Sequence, residues 1–174
     1  MARYLFTFAL ILFAALSRVL PHPANFAPIT ALALFSAVYL DKKLTFIIPI
    51  LAVLLSDYVI GFYTGMSWVY ASMFGVGMIG LWLRKHPSVM NTVGATLTGS
   101  ILFFVVTNFG VWISSQVSYP HTLAGVVQCY VAAIPFFRNT LAGDACYVTA
   151  MFGLYALAKK FIPRLQPTPA EIKA

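Results

Sequence analysis

Arg18, Asp57, Arg138 and Asp144 stand inside otherwise apolar stretches of a 174-residue chain that has only 4 acidic and 11 basic residues in all. Charge at membrane depth costs roughly 2.5 to 3.5 kcal/mol per residue on insertion scales, so each such group implies a partner, a water-filled cavity or a ligand. Counted at about 1.5 Å per residue, Arg18 falls near the outer end of the first apolar run and Asp57 in the outer third of the third. Asn108 falls in the outer third of the fifth run, and Arg138 with Asn139 at the outer start of the last, so these groups share one depth. Pro21, His22, Pro23 and Asn25 add a loop beside that layer, which two prolines hold extended and stiff.

Such a set of mixed donors and acceptors can form an outward-facing polar pocket walled by Arg18, His22, Asn25, Asp57, Asn108, Tyr130, Arg138 and Asn139. The alternative is structural: Asp57 pairs with Arg18 or Arg138 to neutralise buried charge, and the asparagines tie helices together. Asp144 lies six residues beyond Arg138, about 240° around a helix, so the two do not share a face. It follows Gly143, where a neighbouring helix can come close, and is assigned a structural or coupling role. Neither Cys129 nor Cys146 has His or Cys at ligand spacing, so neither a disulfide framework nor a metal site is indicated. No cofactor is expected. The chain carries no GxSxG, HExxH or C-x-x-C pattern, and no phosphate-binding loop.

The elements that must position these residues follow from composition. With 61% hydrophobic and 9% charged residues, the chain has more apolar surface than a soluble domain of this length can hide. A bilayer span takes about 20 apolar residues. The apolar runs are Tyr4–Leu20, Ala27–Leu40, Leu44–Phe62, Met66–Leu83, Val93–Val117 and a stretch from Thr122 to Phe161. As one straight helix the last would be about 60 Å long against a hydrocarbon core of about 30 Å, and Pro135 interrupts a continuous helix. It is therefore divided into a short helix on the outer side, Thr122–Ile134, and a final span ending at Phe161. Ala27–Leu40 is short for a full crossing and needs little tilt or shielding by its neighbours.

The predicted fold is thus an all-α integral membrane bundle of six transmembrane helices, forming a single domain over residues 1–162 with a flexible cytoplasmic tail at 163–174. The net charge of +7 does not point to nucleic acid, because the basic residues fall between the spans. Arg3, Lys42, Lys43, Arg84, Lys85, Lys159, Lys160, Arg164 and Lys173 all lie on one side, whereas Gly61–Gly65 and Ser114–His121 contain neither Lys nor Arg. By the positive-inside rule both termini are cytoplasmic. Ala2–Ser17 has signal-peptide features, but the charge pattern needs it as a retained span. Tyr58, Phe62, Tyr63, Trp68, Trp112 and Tyr119 gather at the outer edge, as rings do at headgroup level. Ala33 with Ala37, Ala95 with Gly99, and Gly75, Gly77 and Gly80 provide small-residue spacing for close helix packing.

Several segments carry a resemblance: Ser17-Arg18-Val19-Leu20-Pro21-His22-Pro23-Ala24-Asn25-Phe26-Ala27-Pro28, Leu55-Ser56-Asp57, Thr107-Asn108-Phe109-Gly110-Val111-Trp112, and the run from Ala133 to Asp144 with Phe137-Arg138-Asn139-Thr140 at its centre. Over nearly the whole chain these resemble the bacterial integral membrane family labelled DUF6580, described as candidate transport proteins. That family is in turn similar to the S components of energy-coupling-factor vitamin transporters, six-helix subunits that bind a micronutrient from outside. The resemblance implies an S-component-like bundle in the bacterial inner membrane, a small-molecule ligand, and a transporter scaffold with an ATPase module as partners. One departure concerns docking: many S components have Ala-x-x-x-Ala on the first helix, where Ala9 is here followed by Phe13. Solitary S components for cobalamin supply one ligand lead, although Tyr70, Ala71 and Ser72 in the fourth span include no cysteine to ligate cobalt. The functional expectation is a substrate-binding membrane subunit for uptake of a vitamin or similar micronutrient, not an enzyme. The alternatives are a structural membrane subunit with internally paired charges and an intramembrane enzyme using Asp57, Asp144 or Cys129.

Overall fold

The computed structural model describes residues 2–114, 119–162 and 165. Six α-helices account for the regular structure among the described residues, with no strand: α1 (Ala2–Ser17), α2 (Ile29–Tyr39), α3 (Leu44–Ile60), α4 (Met66–Lys85), α5 (Val89–Ile113) and α6 (Leu123–Phe161). Three of them, α4, α5 and α6, are long and apolar enough to cross a membrane, while α1, α2 and α3 are shorter apolar helices. The 163–174 tail falls outside the described residues except for Leu165.

Local chemistry sets the helix ends. Ser88 and Thr122 cap α5 and α6, accepting from the backbone N–H of Asn91 at 3.0 Å and of Gly125 at 3.2 Å, which satisfies N–H groups that have no partner within the helix. Gly61 ends α3 at φ 100°, a left-handed conformation that a side chain would resist. Arg84 with Lys85 and Lys159 with Lys160 occupy the last turns of α4 and α6, where cations oppose the negative end of the helix dipole.

The core is built around α2. Every residue from Ile29 to Ala37 is buried, as expected of a helix that is apolar on all sides and enclosed by its neighbours. Close approach to α4 depends on Gly80, where an added Cβ would lie 2.5 Å from Ala37 Cβ. Phe35, Tyr39, Phe152 and Tyr155 form an aromatic cluster joining α2 to α6, with Phe35 and Phe152 centroids 5.4 Å apart. The outward faces are apolar: Leu5, Phe13, Phe62, Val89, Leu123 and Phe161 are all exposed, whereas Thr7, Ser36, Ser56, Asp57, Ser72, Ser100 and Asp144 are buried. Polar groups inside and large apolar side chains outside are the arrangement that a lipid solvent favours.

One sequence expectation needs correction. No separate outer helix precedes the last span, because α6 runs unbroken for 39 residues with Pro135 inside it. Proline deprives the helix of a single N–H bond at that point, while contacts with α5 hold both halves. Tyr130 donates to the Val105 carbonyl at 2.7 Å on one side of the proline, and Phe137 packs on Phe104 at 4.6 Å on the other. The first half of α6 therefore lies along the C-terminal half of α5.

Candidate functional site

Arg18 follows the last turn of α1, where its backbone N–H still bonds to Ala15 O at 3.2 Å. Its side chain crosses to α3 and meets Asp57 in an ion pair, Nη2 to Oδ1 2.7 Å, with the two side chains 8% and 0% exposed. Nη1 donates to Ser56 Oγ at 2.5 Å and to Val53 O at 3.2 Å. The other carboxylate oxygen of Asp57 accepts from Tyr70 of α4 at 2.7 Å. Arg18 is the partner of Asp57, and the cluster ties α1, α3 and α4 together at one end of the bundle.

The loop from Pro21 to Pro28 folds over the same end. The His22 ring bridges two carbonyls, Nδ1 2.9 Å from Pro23 O and Nε2 3.2 Å from Arg18 O. Asn25 sits at φ 63°, a left-handed position that asparagine tolerates better than most residues. Asn139 of α6 donates to Ala24 O at 2.9 Å. Gly143 lets the loop backbone approach α6, since a Cβ there would lie 3.1 Å from Phe26 Cα. The close neighbour beside Gly143 is thus this loop and not the helix expected there.

Deeper in the bundle Asp144, 1% exposed, joins three helices. Ser100 of α5 donates to its Oδ2 at 2.6 Å, and Thr30 of α2 supplies a second side-chain hydrogen bond. These bonds link α2, α5 and α6 through one side chain.

Between the loop, the Arg18–Asp57 pair and Asp144 lies a cavity of about 380 Å³. Arg18, His22, Asn25 and Asn108 border it, as does Asp144, together with Thr30, Tyr63, Thr64, Thr107 and Thr140. Asp57 stands behind Arg18 and Asn139 secures the loop; neither borders the cavity. Tyr130 spends its hydroxyl on Val105 O. Arg138 is exposed and forms no ion pair among the described residues. The reason is angular: Arg138 is two residues from Thr140, about 200° around the helix, whereas Thr140 and Asp144 are four apart and share a face. Cys129 is buried with Sγ 3.5 Å from Asn108 O, and Cys146 is exposed; both are free.

Sequence reasoning missed Thr30, Thr64, Thr107 and Thr140, and used Tyr63 only as an interfacial ring. Helical threonines carry no distinctive sequence signal, since a hydroxyl such as that of Thr107 or Thr140 can bond within its own helix. Tyr63 lies on the α3–α4 connection; burial, followed by the Asp57 carboxylate, pushes its phenol above the ordinary range, with Arg18 opposing.

A second, larger opening of about 690 Å³ lies between α5 and α6 with walls from α2 and the end of α4, and is mainly apolar. Ser100 borders this groove while Thr30 and Asp144 border the cavity. A single hydrogen-bonded layer therefore separates the two. Among the described residues no three His, Cys, Asp or Glu side chains gather as a metal set.

An all-helical bundle with apolar outer faces, spanning-length helices and a cavity of mixed lining at one end is the form of a membrane protein. The chain belongs to DUF6580, a family of unknown function whose pattern matches residues 1–165. No curated protein and no solved structure matches it.

Proposed function

We propose that this protein is a substrate-binding subunit of a bacterial inner-membrane uptake system that takes a vitamin or similar micronutrient into the cavity from outside. The single observation that carries the reading is a cavity lined by both polar and apolar side chains at the end of the bundle where the α3–α4 and α5–α6 connections contain no Lys or Arg. The opposite end has Lys42, Lys43, Arg84 and Lys85, so by the positive-inside rule the cavity opens outward, all six helices cross and both termini are cytoplasmic. The short α2 crosses inside a sheath of other helices, where its backbone ends are covered by protein.

A volume of about 380 Å³ is at the small end of ligand pockets, which run from about 300 to 1,000 Å³. It suits a one- or two-ring molecule better than a corrinoid. The inward route leads past the Thr30–Ser100–Asp144 layer into the α5–α6 groove. ATP hydrolysis, if used, comes from a partner module, since the chain has no phosphate-binding loop.

Native mass spectrometry of the purified protein against a panel of vitamins and precursors tests this reading. One member is expected to bind with 1:1 stoichiometry and to be lost in Thr107→Leu/Asn108→Leu, which fills the cavity, while Arg138→Ala binds as the parent does. Absence of binding across the panel, or binding unaffected by filling the cavity, overturns it.

A second reading is favoured by the Arg18–Asp57 ion pair, whose charges are satisfied internally: a structural membrane subunit. If this is the whole role, Arg18→Met/Asp57→Leu complements a deletion strain fully and no ligand is found.

A further inference from the structure

The hydrogen bonding of three cavity side chains is one-sided. Thr107 donates to Phe103 O at 2.7 Å, Thr140 to Phe136 O at 3.3 Å, and the Asn108 amide to Phe104 O at 2.8 Å. Each has thereby spent a donor on its own helix and presents oxygen lone pairs elsewhere. Arg18 directs its donors to Asp57, Ser56 and Val53, and Thr30 bonds to Asp144. These groups turn oxygen acceptors toward the cavity, beside the apolar Ile29, Val69, Phe103 and Val111.

The charges are one-sided as well. Arg18 is neutralised by Asp57, whereas Asp144 borders the cavity with only the Ser100 and Thr30 hydroxyls beside it. No Lys or Arg forms an ion pair with Asp144 among the described residues. A buried carboxylate without a cation keeps a desolvation cost that a bound cation would offset.

We propose that the cavity takes a hydrogen-bond-donating organic cation, a protonated amine or amino-heteroaromatic cation, whose charged end meets Asp144 and whose other N–H groups face Asn108, Thr107 and Thr140. The inference rests on the uptake reading and names the chemical class of its ligand. An anionic vitamin finds no Lys or Arg free of an ion pair in this cavity.

Matched sets on phenyl, pyridyl and pyrimidinyl rings, each bearing an aminomethyl, hydroxymethyl or carboxylate group, test it. Thermal unfolding of the detergent-purified full chain reads binding. Aminomethyl members are expected to raise the midpoint of the parent protein, with the other two groups inactive. Asp144→Asn is expected to weaken the amines at least tenfold and the exposed Asp41→Asn to leave them unchanged. Should Asp144→Asn not fold, Thr140→Val and Asn108→Leu carry the same test, each weakening the amines at least threefold. Hydroxymethyl or carboxylate members that bind as well as the amines overturn the cation inference and leave the pocket standing. Amine binding unaffected by any of the cavity variants also overturns it. If no member of any set binds, the uptake reading falls with it.

Discussion

At the scale of single residues, the deciding contact is the buried pair of Arg18 and Asp57, 2.7 Å apart. Removing one partner of a buried pair leaves an uncompensated charge, at a cost of about 3 to 5 kcal/mol. Arg18→Ala is therefore expected to lower the thermal midpoint sharply, and Arg18→Met/Asp57→Leu to recover most of the loss. A double variant as unstable as the single one would mean that the pair contributes more than mutual neutralisation. Tyr70→Phe, which deletes the third member, is expected to cost about 1.5 to 3 kcal/mol as a lost bond to a charged group. For Tyr63 the raised phenol means that the folded state holds the proton more tightly than the unfolded chain. That contribution is complete below the ordinary tyrosine range near pH 10 and is lost as pH rises through the raised value. Tyr63→Phe is expected to flatten the alkaline side of a stability profile measured to about pH 11.

At the scale of elements, α2 owes its central place to being apolar on every face, and its position relative to α4 to Gly80 beside Ala37. Gly80→Val forces the two helices apart, an overpacking cost of about 1 to 3 kcal/mol, read as a lower thermal midpoint that Ala37→Gly partly restores. Gly143→Ala acts differently. Its Cβ meets the Phe26 backbone, so the loop carrying His22 and Asn25 is pushed off the cavity, and ligand affinity is expected to fall more than stability does. The unbroken α6 shows that the effect of a proline depends on its neighbours: Tyr130 and Phe137 anchor the helix to α5 on either side of Pro135.

At the scale of the whole molecule, the proposed topology puts Tyr119 outside and His86 inside. In a Cys129→Ser/Cys146→Ser background, Tyr119→Cys is expected to react with an impermeant maleimide on intact cells, and His86→Cys only after the membrane is opened. The reverse pattern would invert the bundle and turn the cavity to the cytoplasm. The separation of that cavity from the α5–α6 groove by the Ser100–Asp144 contact, at 2.6 Å, is likewise a property of no single element. It arises where α2, α5 and α6 meet.

The sequence by itself determined that the chain is helical and apolar outside, where the helices fall within a few residues, and which few polar residues had to be accounted for, because composition and run length are local quantities and buried charge is costly wherever it occurs. It placed Arg18, His22, Asn25 and Asn108 at the cavity, and put Asp57 in the same wall with pairing to Arg18 or Arg138 as the alternative, whereas Asp57 stands behind Arg18 as its partner. Depth, however, is one coordinate of three. The rotation of α6 turned Arg138 away and brought Thr140 and Asp144 to the cavity, and the packing of α5 against α6 joined the expected outer helix to the last span. Only the tertiary structure decided these, since which face of a helix looks inward depends on the neighbours against which it packs.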